Sequence, residues 1–182
     1  MNQEYDIKAT GVVRRIDDLG RIVLPKELRR TMRIKEGDSL EIYLDENDKI
    51  VLKKYSAVKG VSTFLKEFVD SMYASNKKDI VICDNETVVA CAGNLKQDLT
   101  GLRISKTLEK KIKSRQTEIF DKTNQLEICE NIYSDKAVIV KPINVYGDIY
   151  GAILVFSDTY ITDVEKSLVE FSSMFMSRYL ES

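Results

Sequence analysis

One stretch decides the fold of the first part of this chain: KATGVVRRIDDLGRIVLPKELRRTMRIK, residues 8–35. It contains nine basic and three acidic residues, and residues 36–48 that follow contain six acidic residues and no basic one. Arginine predominates among the bases, and its planar fork of donors matches phosphate oxygens and guanine edges better than an ammonium group does. The charge pattern therefore indicates a surface that binds a polyanion, with nucleic acid as the first candidate.

The local patterns in residues 1–55 predict short strands joined by turns. Strands are expected at 11–16 and 21–24, on either side of a turn at 17–20. A short helix over 25–32 follows, because proline suits a first helical turn and acidic and basic residues lie at its matching ends. Two further strands are expected, an alternating one over 40–44 and another over 50–55.

So small a unit buries too little surface to be stable alone, which predicts a dimer. The segment GVVRRIDDLGRIVLPKELRRTMRIKEGDSLEIY, followed by IVLKKY, resembles the DNA-binding domain of the AbrB-type transition-state regulators across nearly all of residues 8–55. The resemblance implies an all-β swapped-hairpin barrel, in which two chains exchange hairpins, and double-stranded DNA as the partner.

Candidate DNA-binding residues follow from the same resemblance. Four arginines match positions where AbrB-type domains contact DNA, and four other basic residues lie close to them in sequence: Arg14, Arg21, Arg29 and Arg30, joined by Lys8, Arg15, Lys26 and Arg33. The alternative is that these side chains are solvated or pair with nearby acids. Asp17 and Asp18 are interpreted as residues that cap the turn and orient guanidinium groups, because two adjacent carboxylates make a poor metal site.

The sequence predicts three segments: a DNA-binding domain at 1–55, a linker at 56–60 and a second domain at 61–182. In the second domain an amphipathic helix begins near residue 61, strands are expected at 79–84 and 88–92, and a helix at 104–112. A strand at 137–143, a hairpin and a final helix complete an α+β arrangement, an antiparallel sheet with helices on its faces. This order resembles the GAF sensor fold.

AbrB-type regulators with a C-terminal GAF domain resemble the chain as a whole. The resemblance implies control of sporulation genes, a homodimer through the first domain and a homotetramer through helices of the second, with room for a small-molecule effector. Cys83, Cys91, Tyr146 and Tyr150 lie near strand ends where a GAF pocket would open, although residues of these types more often pack in a core.

The composition argues against catalysis. The chain has no histidine, so the commonest general base and metal ligand is missing, and no cofactor or metal is expected. No signal peptide or membrane-spanning run is visible, which predicts a cytoplasmic, nucleoid-associated protein. Two alternatives remain: a GAF-based thiol enzyme, similar to methionine sulfoxide reductases, using Cys83, Cys91 or Cys129, and an antitoxin-like repressor.

Overall fold

The computed structural model describes residues 9–45 and 49–181, so Lys8 lies outside the described residues. The chain divides into two compact units, and the division falls between Tyr55 and Ser56.

The first unit contains one short helix and one hairpin. Helix α1 spans Lys26–Thr31, and strands β1 and β2 span Leu40–Leu44 and Ile50–Lys54. The strands pair antiparallel, so that Ile42 lies opposite Leu52. Both predicted strands of this region are therefore confirmed.

Helix α1 is one residue shorter at each end than predicted. Pro25 precedes the helix with φ −56° instead of forming part of it. Two residues after the end of the helix, Arg33 adopts a positive φ of 54°. The next residue, Ile34, donates its N–H to the carbonyl of Arg29 at 2.7 Å, which satisfies a carbonyl of the last turn.

The two strands predicted at 11–16 and 21–24 are absent from the single chain. Both segments lack ladder hydrogen bonds, because no strand of the described residues runs beside them. The turn between them does form. Gly20 donates its N–H to the carbonyl of Asp17 at 3.0 Å, and Gly20 has the positive φ, 75°, that this turn requires.

Apolar side chains of the first unit stay in contact with solvent. Within its described residues only Pro25 is buried. Val13 is 85% exposed and Leu44 81% exposed. The alternating pattern of β1 is typical of a half-buried strand, but four of its five residues are exposed, because no described residue of the same chain covers its apolar face.

The second unit is a five-stranded antiparallel sheet with helices on both faces, as predicted. Its strands are β3 Ile80–Asp84, β4 Val88–Ala92, β5 Glu118–Phe120, β8 Ala137–Val145 and β9 Asp148–Ser157. They lie side by side in the order β4-β3-β9-β8-β5. The helices are α2 Ala57–Gly60, α3 Ser62–Asn76, α4 Lys106–Lys113 and α5 Asp163–Glu181. A separate two-stranded ribbon pairs β6, Glu127–Cys129, with β7, Ile132–Tyr133.

Side chains on both faces of this sheet are buried, which is why its strands read as continuous apolar runs. In β9, Leu154 and Phe156 point to the face that packs on α4 and β6, whereas Ile153 and Val155 point to the face covered by α3 and α5. The core of the second unit therefore has two layers, one on each side of the sheet.

Residues 56–60, predicted to be a linker, belong instead to the second unit. Four of them form helix α2, and Val58 is fully buried against the sheet. Ser56 caps this helix, because its Oγ accepts the N–H of Lys59 at 3.2 Å. The apolar contact of one valine and the serine cap give this short segment a fixed structure.

We expect Gly151→Ala to destabilise the second unit by about 2 kcal/mol. A Cβ at this position would lie 2.0 Å from the carbonyl oxygen of Cys83 on the neighbouring strand. Urea unfolding followed by circular dichroism measures the change. Gly60→Ala is the control, since a Cβ there meets no heavy atom within 4 Å. Equal stability of the two variants would contradict the close approach of β3 and β9.

Candidate functional sites

The basic residues predicted to bind DNA lie at the surface of the first unit. Seven of the eight are described, and all seven are exposed: Arg14, Arg15, Arg21, Lys26, Arg29, Arg30 and Arg33. Helix α1 and the segment around the turn at 17–20 carry them. The structure of the first unit therefore leaves their charged groups in contact with solvent, where a ligand can reach them.

Asp17 orders the turn and holds one of these arginines. Its Oδ1 accepts the backbone N–H groups of Leu19 at 3.1 Å and Arg21 at 2.8 Å. Its Oδ2 accepts the Nε–H of Arg21 at 2.7 Å. The hydrogen bonds from the backbone and side chain of Arg21 lower the pKa of the Asp17 carboxyl. Asp17 thus caps the turn and orients a guanidinium group.

The other arginines do not pair with acids in the part of the chain that the structure describes. Neither Arg29 nor Arg30 forms an ion pair there, and Arg14 donates only to the carbonyl of Val13, at 3.4 Å. Among the described arginines of the first unit, Arg21 is therefore the one whose charge is neutralised by an acidic residue of the set Asp17, Asp18 and Glu27. The remaining positive charge is available to an anion from outside the chain.

A cavity of about 300 Å³ opens in the second unit, beside the face of the sheet that packs on α4. Its apolar wall includes Leu99, Ile128 and Phe156. At the surface, Lys96 and Asp135 form an ion pair at 3.2 Å between two loops that line the cavity. An apolar wall with a few polar groups is typical of a small-molecule site.

The sequence analysis did not find these cavity residues. The four residues that it singled out lie elsewhere: Cys83 and Cys91 are buried in the core, Tyr146 is at the tip of the β8–β9 hairpin, and Tyr150 packs on the opposite layer. The wall comes mainly from the loops before α4 and around β7. The apolar stretches of those loops are too short to show from the sequence whether a residue lines a cavity or packs in the core.

All three thiols are buried, and for Cys83 and Cys129 the surroundings disfavour a thiolate. Burial raises the pKa of Cys83 above its ordinary range, and Asp84 raises it further. Burial also raises the pKa of Cys129, to about 11. Cys91 donates its Sγ–H to Asp98 Oδ1 at 3.1 Å. A thiol enzyme needs a thiolate nucleophile, which a buried thiol or a neighbouring carboxylate opposes.

Carboxylates and thiols of the described residues form no cluster of three or more that is able to hold a metal ion. No described helix is both long and apolar enough to cross a membrane.

Helices α3 and α5 present a shared aromatic face. Phe64 stacks on Tyr179 with ring centroids 4.3 Å apart, and Phe68 stacks on Phe175 at 5.3 Å. Phe171 continues this row and is 52% exposed. The face is therefore only partly covered within one chain.

Two family models match the chain. One, described as stage V sporulation protein T C-terminal, transcription factor, matches residues 60–181. The other, described as antidote-toxin recognition MazE, bacterial antitoxin, matches residues 13–60. The first alone covers more than half of the chain.

Relatives of known sequence agree with this division. Stage V sporulation protein T of Bacillus subtilis is 40% identical over 177 residues, which are 96% of this chain and 99% of that protein. The transition state regulatory protein AbrB of the same organism is 61% identical over 49 residues, 27% of this chain and 50% of AbrB. The match to AbrB confirms the predicted resemblance of the first unit.

Among solved structures, the type II free methionine-R-sulfoxide reductase of Thermoplasma acidophilum is similar to the second unit. It is 12% identical, covers 68% of this chain and 94% of its own, and has a TM-score of 0.51. At that identity the likeness shows the fold alone, and the predicted α+β fold class, an antiparallel sheet with helices on its faces, is confirmed. With full-length similarity to the sporulation protein and a matching C-terminal family model, the chain belongs to the stage V sporulation protein T family of transcription factors.

Proposed function

We propose that this protein is a transcription regulator that binds double-stranded DNA through the basic surface of its first unit. The observation that carries the proposal is the set of exposed arginines around the 17–20 turn and on α1, of which only Arg21 is paired with an acid of the described residues. Phosphate contacts from such a surface supply affinity that depends on salt, and the deformability of the duplex supplies part of the selectivity. Lys8 joins the proposed surface by its place in the sequence.

A homodimer forms the complete DNA-binding unit in this proposal. One chain leaves the apolar face of β1 and β2 exposed and leaves segments 11–16 and 21–24 without strand partners. A second copy supplies both the missing strands and the missing cover, as in the swapped-hairpin barrel that the resemblance implies. Burial of this apolar surface is the driving force for the association.

The aromatic face of α3 and α5 then joins two dimers into a homotetramer. Phe171 and Met174 are exposed on α5 beside the stacked rings, and an apolar helix face of this kind is covered when it packs on an equivalent helix. Two DNA-binding dimers held together raise the apparent affinity without any new contact at each site.

A small molecule in the 300 Å³ cavity modulates DNA binding in this account. The apolar wall and the Lys96–Asp135 pair at the surface support a ligand with an apolar body and a polar end. Ligand binding changes DNA affinity only if the ligand prefers one arrangement of the tetramer over another.

The setting that we propose is the control of sporulation genes in the cytoplasm, in association with the nucleoid. The family description and the similarity to stage V sporulation protein T support this setting. We propose further that the protein is not an enzyme, because all three thiols are buried and burial raises the pKa of Cys83 and Cys129, which opposes thiol chemistry. The antitoxin alternative is less favoured, since the antitoxin model ends at residue 60 and a folded unit follows.

We expect Arg→Ala at positions 14, 21, 29 and 30 each to weaken DNA binding by about tenfold and to lower the log-log salt slope by about one. Fluorescence anisotropy on AT-rich duplex DNA across a salt series measures both quantities. Arg178→Ala is the control, because Arg178 is exposed in the second unit and has one ion pair, at 3.4 Å. If none of the four changes separates from this control, the basic surface does not bind DNA.

Asp17→Ala should weaken DNA binding although it removes a negative charge. The substitution removes the hydrogen bonds that order the turn and the Arg21 side chain. We expect this loss to weaken DNA binding by more than removal of the negative charge strengthens it. Asp18→Ala is the matched control, and we expect unchanged or tighter binding. Anisotropy at one fixed salt concentration compares the two, and equal binding by both would show that Asp17 does not position Arg21.

Ile42→Asp should dissociate the dimer and unfold the first unit. Ile42 is 67% exposed in one chain, so a charge there is harmless unless a second copy covers it. Sedimentation velocity and circular dichroism report the two effects. Tyr146→Asp, at an 85% exposed position of the second unit, provides the control. Disruption of this interface leaves at most the dimer held by α3 and α5, so an assembly of unchanged mass for Ile42→Asp would rule the interface out.

A further inference from the structure

The carboxylate of Asp84 holds two segments of the second unit at once. Oδ1 accepts the N–H groups of Glu86 at 2.7 Å and Thr87 at 2.6 Å, which fixes the turn between β3 and β4. Oδ2 accepts the hydroxyl of Ser56 at 2.9 Å and lies 3.4 Å from Lys59 Nζ. The Asp84 side chain is 5% exposed, so these bonds form with little competition from water.

Ser56 and Lys59 belong to the segment that leads into the DNA-binding unit. The residue before it, Tyr55, donates its N–H to Ser39 in the first unit at 2.9 Å. Ser56 is then held by Asp84 and caps helix α2. Tyr55 is therefore hydrogen-bonded within the first unit, and the next residue, Ser56, is hydrogen-bonded to Asp84 in the second.

Backbone hydrogen bonds connect the same β3–β4 turn to the wall of the cavity. Ile104 donates its N–H to the carbonyl of Glu86 at 2.9 Å, and Val88 donates to Leu102 at 2.9 Å. Leu102 in turn donates to the carbonyl of Leu99 at 3.0 Å, and Leu99 lines the cavity. A displacement of this wall is therefore transmitted by backbone to the turn that Asp84 caps.

We propose that Asp84 couples the occupancy of the cavity to the conformation of residues 56–60, the segment that leads into the DNA-binding unit. The inference rests on the proposed function, in which a ligand in the cavity modulates DNA binding. When the cavity wall moves, the 86–88 turn moves with it, and the geometry of the Asp84 carboxylate toward Ser56 and Lys59 changes. The cap of α2 then loosens or tightens.

Hydrogen exchange of the Lys59 and Gly60 amides measures the state of this segment, because their N–H groups bond to Ser56 Oγ and to the Ser56 carbonyl. The cavity is perturbed by Leu99→Ala, which removes part of its wall. In the otherwise unchanged full-length protein we expect Leu99→Ala to raise exchange at both amides by about tenfold.

Asp84→Asn tests whether the effect passes through the carboxylate. The amide oxygen still accepts the Glu86 and Thr87 N–H groups, whereas the charge facing Lys59 is lost. We expect this variant to exchange faster by itself, and Leu99→Ala to add less than about twofold in its background. Ser56→Ala, which removes the hydroxyl, serves if Asp84→Asn does not fold by circular dichroism. It should give the same loss of coupling at the Gly60 amide, which bonds to the Ser56 carbonyl, whereas the Lys59 amide loses its own acceptor in this variant.

Asp121→Asn is the matched control. Asp121 also accepts two backbone N–H groups through one oxygen, from Thr123 and Asn124 at 2.8 Å each, but it does not contact residues 56–60. It should leave both the exchange rates and the effect of Leu99→Ala unchanged.

Two outcomes would overturn the coupling: unchanged exchange at Lys59 and Gly60 in Leu99→Ala, or effects of Leu99→Ala and Asp84→Asn that simply multiply. DNA affinity of the unsubstituted protein, measured by anisotropy in parallel, reports separately on the proposed function. Absent DNA binding counts against the regulator and leaves the exchange data to judge the coupling within the second unit.

Discussion

The first unit depends on apolar surface that one chain cannot bury. Its hairpin presents Ile42 and Leu44 to solvent, and its described residues include a single buried side chain, Pro25. Apolar burial is the main favourable term in folding, so an isolated copy of this unit, which ends at Tyr55, lacks the energy to order its own chain. We propose that a second copy resolves this deficit and that the basic surface proposed for DNA binding takes its ordered form in the dimer.

The second unit has the opposite character. Its sheet is covered on both faces, and its core is complete within one chain. This stability allows it to hold an open cavity and an exposed aromatic helix face, neither of which contributes to its own folding. We infer that it supplies assembly and sensing, while the first unit supplies recognition. Helix α2 and the Asp84 carboxylate lie next to the point where the chain passes from the first unit to the second.

Much of this structure follows from local sequence patterns. Period-two and period-3.6 patterns located the strands and helices of the second unit, because buried faces impose those periods. The 17–20 turn and the orienting role of Asp17 followed from the turn chemistry of aspartate and glycine. The short strands β5, β6 and β7 were missed, since two or three residues are too few to show a period. Helix α2 forms in a segment that was predicted to be a linker, because Ser56 caps its N-terminus. This serine was the sequence feature that indicated the helix.

Features that depend on distant residues were not predictable in this way. The cavity wall combines Leu99, Ile128 and Phe156 from three separate segments, and no local pattern marks them as neighbours. Strands at 11–16 and 21–24 were predicted from residues that need a partner strand, and the described residues of one chain do not contain that partner. In the proposed dimer, the second copy provides it.

Hydrogen exchange of residues 11–16 and 21–24 in the full-length protein tests the central claim most directly. No strand of the described residues lies beside these segments, so slow exchange in them points to a second copy, except at Arg21, whose amide already bonds to Asp17 Oδ1 at 2.8 Å. The dimer account expects strong protection at micromolar protein that is lost as the protein is diluted below its dissociation constant. Exchange as fast as that of an unstructured peptide, at every concentration, would contradict it.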